Sequence, residues 1–235
     1  MHARHISISI SRAILSSLFV LLAPLAAFGH QVPDDGKQTA EAPADTIKVF
    51  RGVAVSADLV GITQMLTGDY GQYEAAARIN LRDKYFPIVE FGIGKADAEE
   101  VANSVNYKTS APYLRVGCDF NLMKNKHDDY RVCAGFRYAY TSFKYDLYSP
   151  GTTDPVWLDP VDYGVEGASC SYHWLEGVVS VDAKIWRCLR LGWSLRYKRR
   201  LLHDDGPLDN SWYVPGYGKQ GGTRLGGTFN IIIEL

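Results

Sequence analysis

Thr223-Arg224-Leu225-Gly226-Gly227-Thr228-Phe229-Asn230-Ile231-Ile232-Ile233-Glu234-Leu235, the last stretch of the sequence, decides the fold. Leu225, Phe229, Ile231, Ile233 and Leu235 share one parity; Arg224, Gly226, Thr228, Asn230 and Glu234 share the other, with Ile232 the only large apolar residue among them. A period of two sets these groups on opposite faces of a β-strand. One face is apolar throughout and the other is polar or small.

The same alternation recurs upstream. It predicts strands near residues 51–61, 71–82, 85–94, 111–122, 130–142, 171–185, 188–200 and 223–235. Connections after the first, third, fifth and seventh strands are long (62–70, 95–110, 143–170 and 201–222), and those between are short (83–84, 123–129 and 186–187). Short turns at one end and long loops at the other are the pattern of an eight-stranded antiparallel up-and-down β-barrel over residues 50–235, with strands long enough to be transmembrane.

Alternation alone does not say which face is inside, and a soluble ligand-carrying barrel would turn its apolar face inward. Residue types decide. One face carries some thirty large apolar residues, among them Val55, Ile79, Phe91, Leu114, Phe136, Leu175, Trp193, Leu195 and Phe229, with Leu59 and Val181 on the same parity. The other mixes Glu74, Arg78, Arg82, Lys184, Arg190 and Lys198 with glycines such as Gly92, Gly117, Gly135 and Gly192. The interior of an eight-stranded barrel is only just filled by side chains, so the apolar face is expected to look outward into lipid. Each Lys or Arg on a lipid-facing midplane position would cost about 2–4 kcal/mol, and none falls there in these strands. Tyr73, Tyr85, Tyr130, Tyr138, Tyr140, Tyr172 and Tyr197 fall near strand ends, where an interfacial girdle would place them. In the narrow lumen the charges are expected to pair, as a cross-strand network of Glu90, Arg115, Asp119, Arg137, Glu176, Asp182, Arg196 and Arg224 that closes the barrel.

Ahead of the barrel, Arg4 and Arg12 precede an apolar run from Ala13 to Phe28, and Ala27-Phe28-Gly29 offers small residues for cleavage. This reads as a signal peptide over residues 1–29, followed by a disordered periplasmic tether over residues 30–49, rich in Asp, Pro, Ala and Gln. Removing Arg4 and Arg12 shifts the formal charge from −1 to −3, a near-balance that argues against a nucleic-acid partner. No cysteine lies near the cleavage site, which excludes a lipoprotein. Cys118, Cys133, Cys170 and Cys188 match no metal-ligand spacing. Strand parity puts Cys118 and Cys133 on opposite faces, against a cross-strand disulfide.

The closing stretch resembles the last strand of bacterial outer-membrane barrels. Pro112-Tyr113-Leu114-Arg115-Val116-Gly117-Cys118-Asp119-Phe120-Asn121-Leu122, His173-Trp174-Leu175-Glu176, Leu191-Gly192-Trp193-Ser194-Leu195-Arg196-Tyr197-Lys198 and Tyr213-Val214-Pro215-Gly216-Tyr217-Gly218 resemble blocks of an uncharacterised domain-of-unknown-function family of Bacteroidota outer-membrane proteins. The resemblance covers most of residues 52–235. It implies an outer-membrane barrel and imports no activity. Asp45-Thr46-Ile47 likewise resembles the short O-glycosylation sequon of Bacteroidota.

Catalytic chemistry has one weak candidate. Ser171 and His173, two apart, share a strand face, and Glu176 is near. Outer-membrane lipid A deacylases use a similar Ser/His spacing with an acid, because a hydroxyl nucleophile needs a base and the base an orienting group. Glu176, however, has lumen parity. The loop over residues 146–166 carries Asp146, Asp154, Asp159, Asp162 and Glu166 without Lys or Arg, in no calcium-loop spacing; it reads as a solvated acidic loop. Trp157, Tyr163, Trp212, Tyr213 and Tyr217 in the long loops are candidates for contacts with a partner, or for folding back on the barrel rim. Gly92-Ile93-Gly94 falls within a strand and is no phosphate loop. The expectation is a monomeric, non-enzymatic barrel of structural or interaction type, without cofactor or metal. Its partners would be outer-membrane lipid and, through the loops, lipoproteins or other envelope proteins, as in an accessory subunit of an envelope complex. A lipid-modifying enzyme and a narrow small-solute channel are the alternatives.

Overall fold

A computed structural model of the protein describes residues 48–100, 105–153, 160–204 and 211–235. The expected signal peptide, nearly all of the expected tether, the sequon-like Asp45-Thr46-Ile47 and the loop residue Trp157 lie outside the described residues. The chain runs β1 (Phe50–Asp58), α1 (Leu59–Thr67), β2 (Tyr70–Leu81), β3 (Tyr85–Glu100), β4 (Val105–Asn121), β5 (Tyr130–Thr153), β6 (Pro160–Trp186), β7 (Leu189–Asp204), a small ribbon of β8 (Tyr213–Val214) and β9 (Gly218–Lys219), and β10 (Thr223–Glu234). Eight strands close an antiparallel up-and-down barrel in the order β1-β10-β7-β6-β5-β4-β3-β2. The seam joins residues 54–58 of β1 to the last strand, Ala54 opposite Glu234 and Asp58 opposite Asn230, and Leu235 N–H donates to the Val53 carbonyl at 2.7 Å.

The barrel is inside-out relative to a water-soluble protein. Val55, Ile79, Val89, Phe91, Leu114, Val116, Phe136, Leu175, Val179, Trp193 and Leu195 are exposed on its outer wall, whereas Glu74, Arg78, Glu90, Arg115, Asp119, Arg131, Arg137, Glu176, Asp182, Arg190, Arg196 and Lys198 are buried. In β10 the decisive parity holds: Leu225 and Ile233 are exposed, Thr228 and Ile232 buried. Among the described residues no helix is long and apolar enough to cross a membrane.

The structure corrects several expectations. The first strand stops at Asp58 because that carboxylate accepts the N–H groups of Val60 at 3.0 Å and Gly61 at 3.1 Å, capping a helix where alternation predicted more strand. Leu59 is therefore the first residue of α1. The loops expected at 95–110 and 143–170 are mostly strand: β3 and β4 pair as far as Glu100 with Val105, and β5 and β6 as far as Thr153 with Pro160. Asp146 is part of that ribbon and accepts the Gly167 N–H at 2.7 Å. Tyr172 is buried in the lumen rather than placed in an outer girdle. Arg82 and Lys184 are exposed near the short-turn end, since each lies at or beside a turn where the lumen widens to solvent. All four cysteines are free, in agreement with the parity that set Cys118 and Cys133 on opposite faces.

Candidate functional site

The lumen has three layers, each traceable to residues that alternate inward. At its middle, four cations (Arg115, Arg137, Arg196, Lys198) meet four carboxylates (Glu74, Glu90, Asp119, Glu176), all buried. Register opposes Glu90 to Arg115, Arg137 to Glu176, and Glu176 to Lys198. Glu90 is the hub: it lies 3.2 Å from Arg115 Nη1, 3.0 Å from Arg137 Nε and 2.6 Å from Arg196 Nη1. Asp119 takes Arg137 in a two-pronged grip at 2.7 and 2.8 Å. Glu176 holds Arg115 Nε at 2.9 Å and receives the Trp174 indole N–H at 2.7 Å. Glu74, omitted from the sequence-derived network, bridges Arg115 and Arg196 and accepts the Tyr113 hydroxyl at 2.7 Å. Charges at such density inside a narrow tube need every lone pair engaged, and glycines make the room. Gly92, Gly117 and Gly135 stand opposite Tyr113, Arg137 and Asp119 in register, where a Cβ would collide with those side chains.

Toward the short turns lies a second, separate cluster. Asp182 pairs with Arg190 at 2.6 Å and Arg78 at 3.4 Å, and Glu234 pairs with Arg131 at 2.7 Å. Asp83, in the β2–β3 turn, holds Arg51 at 2.5 Å and His127 at 2.6 Å and accepts Asn80 Nδ2 at 2.5 Å. Burial pushes the Asp83 carboxyl upward, but Asn80, His127, Arg51 and Arg131 outweigh it and hold the group below its ordinary value. Phe86 lies under both Arg78 and Arg131, 5.1 and 5.2 Å from ring centre to guanidinium carbon.

Toward the long loops the lumen is aromatic rather than charged. Tyr107, Tyr113, Phe143, Tyr145, Tyr172 and Trp174 form a buried cluster with Tyr213, Val214 and Tyr217 from the segment between β7 and β10. That segment turns back into the barrel as the β8–β9 ribbon. The Gly216 carbonyl at its tip accepts Arg115 Nη2 at 2.7 Å and Lys198 Nζ at 2.6 Å, so it reaches the central ionic layer. Tyr107 donates its hydroxyl to the Tyr213 carbonyl at 2.8 Å. Gly216 has φ +79°, and its α-carbon packs so close to the Tyr113 ring that a Cβ would lie 2.5 Å from Cγ; only glycine takes both.

Of the sequence-derived lumen set, Glu90, Arg115, Asp119, Arg137, Glu176 and Arg196 are brought together. Asp182 belongs to the second cluster. Arg224 is outside both and donates to the carbonyls of Lys219 and Gln220 at 2.7 and 2.8 Å, because β10 has reached the loop end by then. The aromatic loop residues divide as well. Tyr213 and Tyr217 are buried in the lumen, and Trp212 packs edge-on to Tyr70 at 5.9 Å; none of them projects outward as a docking anchor, because the lumen offers them a drier environment than the loop tips. Tyr163 lies in the β5–β6 ribbon opposite Ser149. Ser171 and His173 share a face of β6, and the His173 ring is 2.7 Å from the Tyr138 hydroxyl, while Glu176 faces the lumen and is engaged by Arg115 and Arg196. The three do not converge. Among the described residues no cluster of His, Cys, Asp and Glu has metal-site geometry.

A family model described as a domain of unknown function (DUF6048) matches residues 10–234. No curated protein matches the chain significantly. Among solved structures, the chain is similar to the attachment invasion locus protein Ail of Yersinia pestis, solved with the heparin analogue sucrose octasulfate: 9% identity, TM-score 0.36, covering 78% of this chain and 93% of that one. It is also similar to a major outer membrane protein from Thermus thermophilus: 12% identity, TM-score 0.43, covering 78% and 98%.

Proposed function

The chain belongs to the family called domain of unknown function DUF6048, and from that premise and the lumen we propose that it is a closed outer-membrane barrel of structural or interaction type, working through the surface it presents beyond the bilayer and not through a pore. The apolar outer wall supports the membrane setting: water would not cover so continuous a belt of exposed Val, Leu, Ile and Phe, whereas hydrocarbon would. The observation that carries the closed reading is the β8–β9 ribbon seated on Arg115 and Lys198. Aromatic packing and a charge-balanced layer lie in series along the axis, leaving beneath them a cavity of about 40 Å³. The β5–β6 ribbon is the longest element at the loop end, and lipoproteins or other envelope proteins are its proposed partners.

Planar-bilayer recording tests the closed state. The native protein is expected to show no steady conductance, and a variant lacking residues 211–221 is expected to conduct. Steady conductance by the native protein would overturn this reading. Cross-linking in intact cells tests the partner: a reproducible adduct through the β5–β6 ribbon is expected, and its absence would count against an interaction role.

A further inference from the structure

The barrel wall is incomplete at the loop end. β1 has nine residues and ends at Asp58, where it pairs with Asn230 of β10; on its other side its last pair is Ala57 with Ala75 of β2. β10 extends beyond that point to Thr223, and β2 to Tyr70. Along residues 223–229 of β10 and 70–74 of β2, then, the strand that should separate them is missing. Two interstrand spacings make that slot about 10 Å wide, and five residues of β2 make it about 17 Å long. The next element fills it. α1 has nine residues, hence a length of about 14 Å, and a helix with side chains is about 10–12 Å across.

α1 suits a position in the wall. Leu59-Val60-Gly61-Ile62-Thr63-Gln64-Met65-Leu66-Thr67 has no charge. Thr63 and Thr67 donate their hydroxyls to the carbonyls of Leu59 and Thr63, both at 2.8 Å, so they need no water. Leu66 is 76% exposed, pointing away from the barrel. Two close approaches seat the helix against β2: Gly61 lies on Gln72, and Gly71 lies on the backbone at Met65. A single buried side chain latches it. Asp58 caps the helix through Val60 and Gly61 and also accepts the Phe229 N–H of β10 at 3.2 Å. Among the described residues its carboxylate bonds only to backbone N–H groups and carries no ion pair.

Behind the latch the lumen is polar, with hydroxyls and an amide beside the Arg196 guanidinium, whose Nε lies 3.4 Å from Ser194 Oγ. Ser194 and Thr228 hydroxyls share a hydrogen bond at 2.6 Å, and Asn230 donates to Thr228 at 2.9 Å. The cavity of about 40 Å³ is bordered there by Ser56, Asp58, Ser194 and Asn230. We propose that α1 is a removable panel in the barrel wall, and that its displacement admits a small amphipathic molecule from the bilayer, polar end toward Ser194, Thr228 and Asn230 and alkyl end left in lipid. The proposal rests on the membrane setting above and gives the closed barrel a side entrance.

The test uses a long-chain N-alkyl maleimide, itself such an amphiphile, and a sulfonated water-soluble maleimide. The full chain, with Cys118, Cys133, Cys170 and Cys188 replaced by alanine or serine, carries Thr228→Cys behind the panel or Ala139→Cys on the far wall, and is labelled in native outer membranes. Asp58→Ala removes the latch; Gly61→Leu wedges the panel off Gln72 and leaves the latch residue in place. Heat-modifiable migration selects folded protein. In either folded variant the alkyl reagent is expected to label Thr228→Cys at least tenfold faster, with the sulfonated reagent and the Ala139→Cys site unchanged. An unchanged alkyl rate at Thr228→Cys in a folded variant overturns the panel. So does an equal rise at Ala139→Cys, or an equal rise with the sulfonated reagent, which would mark general loosening or entry past the β8–β9 ribbon. Absence of the unaltered protein from outer membranes is a separate readout and overturns the membrane setting instead.

Discussion

Glu90 shows how much a single lumen residue carries. Three guanidinium groups converge on its two oxygens, and removing one member of a buried ionic set costs about 3–5 kcal/mol because the partners stay behind unpaired. Glu90→Gln is accordingly expected to lower unfolding stability in urea by that order, whereas Lys108→Gln, whose pair with Asp97 is exposed, is expected to leave it unchanged. Asp83 gives a pH dependence of definite sign. Its carboxyl lies below its ordinary value when folded, so its contribution is complete above the unfolded value of about 3.9 and is lost as pH falls through the folded one. The melting temperature of the native barrel is expected to drop on acidification below about pH 4 more steeply than that of Asp83→Asn; parallel curves would remove this role. Parity made the lumen position of Glu90 legible. It could not show that Glu74 joins the hub, because which inward charges meet depends on the stagger between strands, and a sequence does not display stagger.

At the scale of elements, period-two alternation located all eight wall strands, because each must turn one face outward and one inward along its whole length. Ends were less legible. Asp58 followed by Leu59, Val60, Ile62, Met65 and Leu66 satisfies helix spacing as well as strand parity, and capping by Asp58 settles the competition. The β8–β9 ribbon coincides with the block Tyr213-Val214-Pro215-Gly216-Tyr217-Gly218, yet loop aromatics read equally as outer anchors or inward filler. Only the burial of Tyr213 and Tyr217 distinguishes these. Gly216 is the residue on which the ribbon depends. Gly216→Val sets a β-branched side chain at positive φ and drives it into Tyr113, so the ribbon is expected to leave the lumen. Limited proteolysis within residues 211–222 should then become at least tenfold faster, and an unaltered rate would show that the seat tolerates the change.

For the molecule as a whole, closure is the property that follows from eight strands joined in one ring. Unheated protein from density-separated outer membranes is expected to migrate faster on denaturing gels than boiled protein; no shift, together with a soluble periplasmic location, would invert the assignment of faces. The seam has a further consequence in time. Ala54 pairs with Glu234, and the β1–β10 register comprises five residues on each side, the shortest junction in the ring and the one whose partners are farthest apart along the chain. Such distant pairings form last and slowly. Seven junctions can therefore be in place as an open, curled sheet while the eighth waits for the final strand, and until that moment both terminal strands are bare templates on which another polypeptide could add itself. Birth of this barrel is thus its most vulnerable interval, and an escort during that interval has only two strands to guard.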